Sequence, residues 1–269
     1  MYNSNPIAME SNKKTKPKLG SYWLNANRDI KVVDLYKEPN ALIERRKRKL
    51  TLPKGASLAR IKEIQKSYLQ NSYWGASKRI FDIAASLFVV VFMLSWVYPL
   101  LLILIKRESK GPIIFKQKRN GLDQEPFDCY KFRSMTLNDY ADTVPTIHND
   151  PRITRVGCFI RKYSIDELPQ FINVLKGDMT VVGPRPHMLS ETDDFVKISA
   201  DFYKRHHVKP GITGLAQINN CRGEINNYND LSNRIKYDLF YIKNASMVYD
   251  IKIIYWTFIK MIFGDSKAK

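Results

Sequence analysis

Two adjacent carboxylates open the stretch richest in chemistry, Arg161-Lys162-Tyr163-Ser164-Ile165-Asp166-Glu167-Leu168-Pro169-Gln170. Ser164 followed three residues later by Glu167 predicts a capping box at the start of a helix over 164–176, and Gly177 after Lys176 is a fitting stop. On that reading the two acids simply offset the helix dipole. A second reading gives them work to do. Adjacent carboxylates beside free backbone donors, with Arg161 five positions before Asp166, could hold a divalent metal together with a phosphate. The motif Val182-Gly183-Pro184-Arg185-Pro186 presents Arg185 on a stiff loop, and a planar guanidinium there suits bidentate phosphate binding. Lys131 and Arg133, in Tyr130-Lys131-Phe132-Arg133-Ser134-Met135, alternate onto one face at the end of a predicted strand. Together these groups describe a site for phosphorylated substrates.

The remaining chemistry-bearing residues read more plainly. His148, His187, His206 and His207 have no metal-site spacing, and His206-His207 is expected at a helix end, with contact to a nucleotide as the alternative. Gly211 and Gly214 read as turn residues, or as places where backbone approaches a donor's uridine. Cys129 and Cys158 read as buried small hydrophobes. The three cysteines, Cys221 included, lack CxxC pairs, which argues against a disulfide scaffold or structural zinc and fits a reducing compartment.

The elements that must position this site come from a chain of 269 residues, long enough for one large or two small domains. At 44% hydrophobic and 12% aromatic it is neither disordered nor collagen-like. Forty-four Lys+Arg against 26 Asp+Glu give a net +18, which points to anionic partners: nucleic acid, lipid headgroups or phosphorylated substrates. The charge is uneven. Residues 1–79 hold 18 Lys+Arg and 6 Asp+Glu, including the run Arg45-Arg46-Lys47-Arg48-Lys49. The opening 20 residues are polar and Lys-rich, without the apolar core of a cleavable signal peptide. A helical pattern over 57–69 leads towards an apolar segment.

That segment, Ile83 to Ile105, is 23 residues without a charge. As a straight helix it would be ~34 Å long, enough to cross a ~30 Å hydrocarbon layer. Soluble core helices are rarely apolar all round for such a length. Lys78 and Arg79 precede it, and Lys106, Arg107 and Lys110 follow. Basic flanks favour the cytoplasmic side, and a single straight span cannot put both ends there. Pro99 offers a bend, with Ser95 able to bond a freed carbonyl. Physics alone leaves a re-entrant helix and a kinked span both open. Beyond residue 110, a hairpin is predicted from Pro112–Arg119 and Pro126–Arg133, and helices over 164–176, 193–206 and 229–243. Asp250 to Phe263 places Ile251, Ile254, Tyr255, Phe258, Ile259 and Ile262 on one stripe, facing the core or lying in a membrane interface.

With those residues in hand, the chain resembles the bacterial sugar transferase family, the monotopic polyprenyl-phosphate phosphoglycosyl transferases. The resemblance runs from about Ser77 to Gly264. It is carried by SKRIFDI (77–83), the apolar segment, KRESKGPIIFKQKRNG (106–121), YKFRSM (130–135), the stretch from Asp150 to Met179, VVGPRP (181–186) and KPGITGLAQIN (209–219). It implies an α+β fold, mostly helical and monotopic, with a re-entrant membrane helix hairpin broken at Ser95 and Pro99, a small β-hairpin and amphipathic interfacial helices. Three regions follow: a basic extension over 1–76, the membrane helix over 77–110 and a cytosolic catalytic domain over 111–269 at the bacterial inner membrane. Family members commonly put proline directly after the hairpin serine, whereas here Trp96, Val97 and Tyr98 intervene.

The implied reaction moves a sugar phosphate from a UDP-sugar to undecaprenyl phosphate, releasing UMP. Asp166 would be the nucleophile and Glu167 its assistant, the two together holding Mg²⁺. Arg161 and Arg185 would bind phosphate, with Lys131 and Arg133 as further candidates. Membrane lipids and downstream glycosyltransferases are the other implied partners; a homodimer stays open, and nucleic acid is not expected. The extension over 1–76 reads as a basic arm near anionic lipid or a docking segment. The competing class is a catalytically silent anchor that recruits glycosyltransferases. Nothing in the sequence selects the sugar.

Overall fold

The computed structural model describes residues 72–138, 146, 150–223, 225 and 227–263. The basic run at 45–49, the helix expected over 57–69 and His148 lie outside the described residues. The described part is mostly helical with two small two-stranded sheets.

The apolar segment lies in a helix of 33 residues, Ala76–Glu108, long and apolar enough to cross a membrane. It consists of α1 (Ala76–Val89), a π turn (Val90–Leu94) and α2 (Ser95–Glu108). The expected break at Ser95–Pro99 is not where the backbone departs from α-helix; the irregular turn lies just before it. Pro99 cannot donate to the carbonyl one turn back. Ser95 donates its hydroxyl to the Val91 carbonyl, and the wide π turn absorbs the mismatch. Lys78, read above as a flanking charge, is instead buried. Its Nζ lies 2.9 Å from Asp82 and 2.7 Å from Asp250. Arg79 donates to the carbonyls of Val174 and Leu175.

The predicted hairpin forms as β1 (Ile114–Asn120) and β2 (Pro126–Phe132), antiparallel with Ile114 opposite Phe132 and Asn120 opposite Pro126. Alternation along β2 sends Phe127 and Cys129 into one apolar cluster, with Val174, Met179 and Tyr241, and Phe132 into another, with Leu101, Ile105 and Ile160. Cys158, expected to be buried, is exposed.

The helix expected over 164–176 is split. After α3 (Arg155–Lys162), a 3₁₀ turn covers Ile165–Glu167, and α4 (Gln170–Lys176) follows Pro169. Pro169 has no N–H to extend a ladder back to Ile165, and the Leu168 amide takes that carbonyl instead, 3.1 Å away. The capping box does not form. Ser164 sits in the left-handed region at φ 55° and makes no side-chain cap. Gly177 ends α4 as expected, at φ 94° with its amide on the carbonyls of Asn173 and Val174. The helix expected over 193–206 is α5 (Leu189–Ile198), then a 3₁₀ segment Ala200–His207, parted by the extended backbone of Ser199.

A second sheet, parallel and unforeseen, pairs β3 (Thr180–Val182) with β4 (Gly211–Thr213). Gly211 lies in β4 and Gly214 directly follows it, rather than in turns. A Cβ on Gly211 would lie 2.1 Å from the Gly183 nitrogen, and one on Gly214 would lie 2.2 Å from the Gly183 oxygen. Backbone packs on backbone where the Arg185 loop leaves β3. The short α6 (Leu215–Ile218) leads towards α7 (Tyr228–Asn244) and α8 (Met247–Phe263). α8 buries Asp250 and Ile253, while Ile251, Tyr255, Phe258 and Ile262 of the apolar stripe are exposed. Of that stripe, Ile254 packs against the core while these four face outwards.

Gly211→Ala is expected to lower stability by ~1–3 kcal/mol, since the new methyl has only backbone to displace. Denaturant unfolding in detergent checks this; an unchanged midpoint would show that the sheet tolerates the methyl.

Candidate functional site

The left-handed turn at Ser164 and the 3₁₀ turn after it bury Asp166 and Glu167 together. Glu167 is the hub of an ion cluster drawn from three other parts of the chain. Lys131, from β2, puts Nζ 3.2 Å from Oε1. Arg185, from the loop after β3, donates Nη2 to Oε1 at 2.8 Å and Nη1 to Oε2 at 3.4 Å. Arg222, beyond α6, lies 3.1 Å from Oε2 and donates to the Ser164 hydroxyl at 2.7 Å. Burial alone would raise the Glu167 pKa, but Arg185, Arg222 and Lys131 outweigh it and hold the carboxyl well below its ordinary value. In turn, burial opposes the charge on Arg185, yet Glu167 holds its pKa above the ordinary guanidinium value. Burial lowers the Lys131 pKa against the pull of Glu167.

Asp166 differs from its neighbour. No hydrogen bond or ion pair within contact distance reaches its carboxylate among the described residues. Burial raises its pKa; Lys131 opposes the rise and Glu167 adds to it, with Arg161 and Arg222 pulling downwards. It is a desolvated carboxylate in a field of cations, none of which has captured it.

The sequence brought Asp166, Glu167, Lys131 and Arg185 to one place. Arg161, in the last turn of α3, reaches the Ser134 hydroxyl at 3.4 Å and is close enough to feel both acids. Arg133 goes elsewhere. Its guanidinium donates to the carbonyls of Lys110 and Ser109 at 2.7 Å each, clamping the chain just after α2. It lies one residue past the strand, where the alternation that would have paired it with Lys131 no longer governs its direction. Two site residues escaped notice. Arg222 belongs to no motif, and only the fold brings it near. Arg119, on β1, donates to the Pro186 carbonyl at 3.0 Å and so supports the Arg185 loop. The break residues Ser95 and Pro99 lie within the apolar helix, apart from this cluster.

For a metal ion the donor set is narrow. Among the described residues no group of three or more His, Cys, Asp or Glu side chains could hold one. Glu167 already receives three cations. Asp166 is open. One open carboxylate beside these cations would fit a magnesium ion held mainly by substrate phosphates and water.

Behind the site, His187 is buried, and burial beside Arg205 and Arg234 holds its pKa well below the ordinary value. His206, its ring edge-on to Phe202, is pushed down by burial to about 3. His207, near Asp123, is lowered by burial as well.

Residues 73–264 match the bacterial sugar transferase family, and the chain belongs to it. Among its relatives, the UDP-glucose:undecaprenyl-phosphate glucose-1-phosphate transferase of Klebsiella pneumoniae is 46% identical over 193 residues, covering 70% of this chain and 41% of the relative. The UDP-N-acetylgalactosamine-undecaprenyl-phosphate N-acetylgalactosaminephosphotransferase of Aeromonas hydrophila is 40% identical over 202 residues, covering 74% of this chain and 46% of the relative. An exopolysaccharide production protein of Rhizobium leguminosarum bv. phaseoli is 40% identical over 185 residues, covering 67% and 92%. The match thus spans less than half the length of the first two.

Three histidines held neutral set an acid limit. The unfolded chain binds protons near pH ~6.5, where the fold refuses them. Stability is therefore full above that value and falls as pH drops towards the depressed folded pKa values. Asp166 and Asp238, both raised by burial, act in the opposite sense but from an unfolded value near ~3.9. The unfolding midpoint is expected to be lower at pH 5 than at pH 7.5, and equal midpoints would contradict neutral burial of these rings.

Proposed function

We propose that the protein transfers a sugar-1-phosphate from a UDP-sugar to a polyprenyl phosphate such as undecaprenyl phosphate, releasing UMP, at the cytoplasmic face of a bacterial inner membrane. The observation that carries this is the division of labour between adjacent acids. Glu167 is saturated by Lys131, Arg185 and Arg222, whereas Asp166 is buried and unbonded. Family membership supports the reaction class, and the names of the relatives support both substrates.

In the proposed first half-reaction, an Asp166 carboxylate oxygen attacks the sugar-linked phosphorus of the donor. The bond from that phosphorus to the bridging oxygen breaks, and UMP leaves with the electron pair. An oxygen of the lipid phosphate then attacks the same phosphorus and displaces Asp166. The two substrates need never meet in the site. A carboxylate approaching an anionic pyrophosphate is opposed by charge, so Arg185, Arg222, Arg161 and Lys131 must neutralise the phosphates as they arrive. Magnesium, held by Asp166 and Glu167, would supply further charge neutralisation on the phosphate oxygens.

The membrane reading is re-entrant. α1 packs on α4 and β3, and α2 packs on α3, so one globular body touches both ends of the apolar helix. Asp82 near the first end accepts from Thr180, and Ile105 near the second packs with Ile113 and Phe132. Between these anchors Phe88, Val91, Phe92, Trp96 and Leu100 are exposed. A straight span would carry one anchor to the far side of the bilayer. The exposed stripe on α8 offers a second apolar surface to the interface.

Asp166→Asn is expected to abolish UMP release from UDP-sugars in the presence of Mg²⁺; release at the native rate would refute the nucleophile. Because the active form is the carboxylate and burial raises its pKa, the acid limb of the native rate profile should lie above the ordinary ~3.9 of aspartate. A limb at or below that value would show that Asp166 is not the titrating group. Reporter cysteines at Ser77 and Lys110 should both react from the cytoplasmic side, and labelling from opposite sides would establish a span.

A further inference from the structure

We propose that His187, Arg205 and Arg234 form a bracket behind the site that fixes the loops of Arg185 and Arg222 in one relative position, as positioning residues for the phosphate-binding cluster. The inference deepens the proposed function and rests on it.

The bracket is built around one imidazole. Arg205 Nη1 lies 2.6 Å from Nδ1 of His187, and Arg234 Nη1 lies 2.8 Å from Nε2. Each arginine uses its other terminal nitrogen on a backbone carbonyl beside a site arginine. Arg205 Nη2 donates to the carbonyl of Arg185 itself at 2.7 Å. Arg234 Nη2 donates at 2.6 Å to the carbonyl of Gly223, next to Arg222. The two loops are thus linked through Arg185, Arg205, His187, Arg234 and Gly223, and no member of the inner three touches Glu167.

The surroundings make this link stiff. His187, Arg205 and Arg234 are each at most 5% exposed. Phe195 and Phe202 meet the His187 ring edge-on at centroid distances of 5.6 and 5.3 Å. Asp238, one turn after Arg234 on α7, accepts from Arg205 Nε at 2.9 Å and balances one of the two charges. The imidazole suits the centre because it is flat and has polar atoms on opposite edges. A neutral ring has one acceptor nitrogen and so accepts from only one of the two guanidiniums; the second joint is Asp238, which accepts from Arg205 and shares α7 with Arg234.

The need for such a device follows from the site. Arg185 and Arg222 are like charges from separate loops, and without a backbone tether they would part whenever Glu167 or a phosphate shifted. A guanidinium placed about 1 Å wrong loses much of its effect on a transition state. Pinning the carbonyls leaves the side chains free to exchange Glu167 for substrate while their loops stay in register.

The test is a double-mutant cycle on UMP release from UDP-glucose or UDP-N-acetylgalactosamine in the full-length protein. Arg234→Gln should lower kcat/KM about tenfold in the native background. In an Arg222→Gln background the same change should cost less than about twofold, because the arginine it positions is gone. In an Arg161→Gln background, where the bracket holds nothing, the tenfold loss should persist. Equal losses in all three backgrounds would reduce Arg234 to general stability and overturn the bracket. Should Arg234→Gln fail to fold, Arg234→Lys serves, since one ammonium cannot reach both Gly223 and His187 as a guanidinium does. Loss of UMP release in Asp166→Asn together with additive cycles would defeat the bracket alone, whereas native release in Asp166→Asn would defeat the reading beneath it.

Discussion

A buried carboxylate that answers to three cations is the constraint on which the site depends. Stripping Glu167 of water is costly, and only Lys131, Arg185 and Arg222 together offset that cost. The reverse also holds: three cations at such short range would repel one another without it. The cluster therefore forms as a unit or not at all. Its consequence for Asp166 is exclusion, because the cations that would otherwise bond it are engaged one residue further on. Asp166 keeps its lone pairs unbonded, and in the proposed reaction the same cations would lower the barrier to an incoming phosphate.

Small backbone features converge on that cluster. The left-handed Ser164 turns the chain so that both acids point inwards, and its hydroxyl receives Arg222. Gly183, Gly211 and Gly214 let two short strands touch through their backbones, which fixes where the Arg185 loop begins. The long apolar helix is joined to the same strand. Asp82 accepts from the Thr180 hydroxyl at 2.6 Å and the Val181 amide at 3.0 Å, while Lys78 ties Asp82 to Asp250 on α8. The apolar helix is thus bonded to the scaffold of the Arg185 loop, which sets the position of the cluster relative to that helix.

Much of this was legible in the residues. Asp166, Glu167, Lys131 and Arg185 were all marked by type and local pattern, and the hairpin by its turn and alternation. The failures have physical causes. Ser164 and Glu167 fit a capping box, but three cations compete for the Glu167 carboxylate and win. Lys78 read as a flanking charge because local pattern does not show Asp250, which arrives from the far end of the chain. The α8 stripe was apolar enough for a core, yet Ile251, Tyr255, Phe258 and Ile262 face outwards, and a bilayer accepts the same pattern. Arg222 and the His187 bracket carry no local signature, since long-range folding alone assembles them.

The central claim is that Asp166, left unbonded by the Glu167 cluster, carries the transferred group on its own oxygen. Intact-mass and peptide spectra of the protein quenched after exposure to donor sugar and Mg²⁺, without lipid acceptor, test this most directly. The account predicts a sugar-phosphate increment on the peptide bearing Asp166, which disappears when polyprenyl phosphate is added. Turnover with acceptor but no such increment, under conditions that preserve an acyl phosphate, would contradict it.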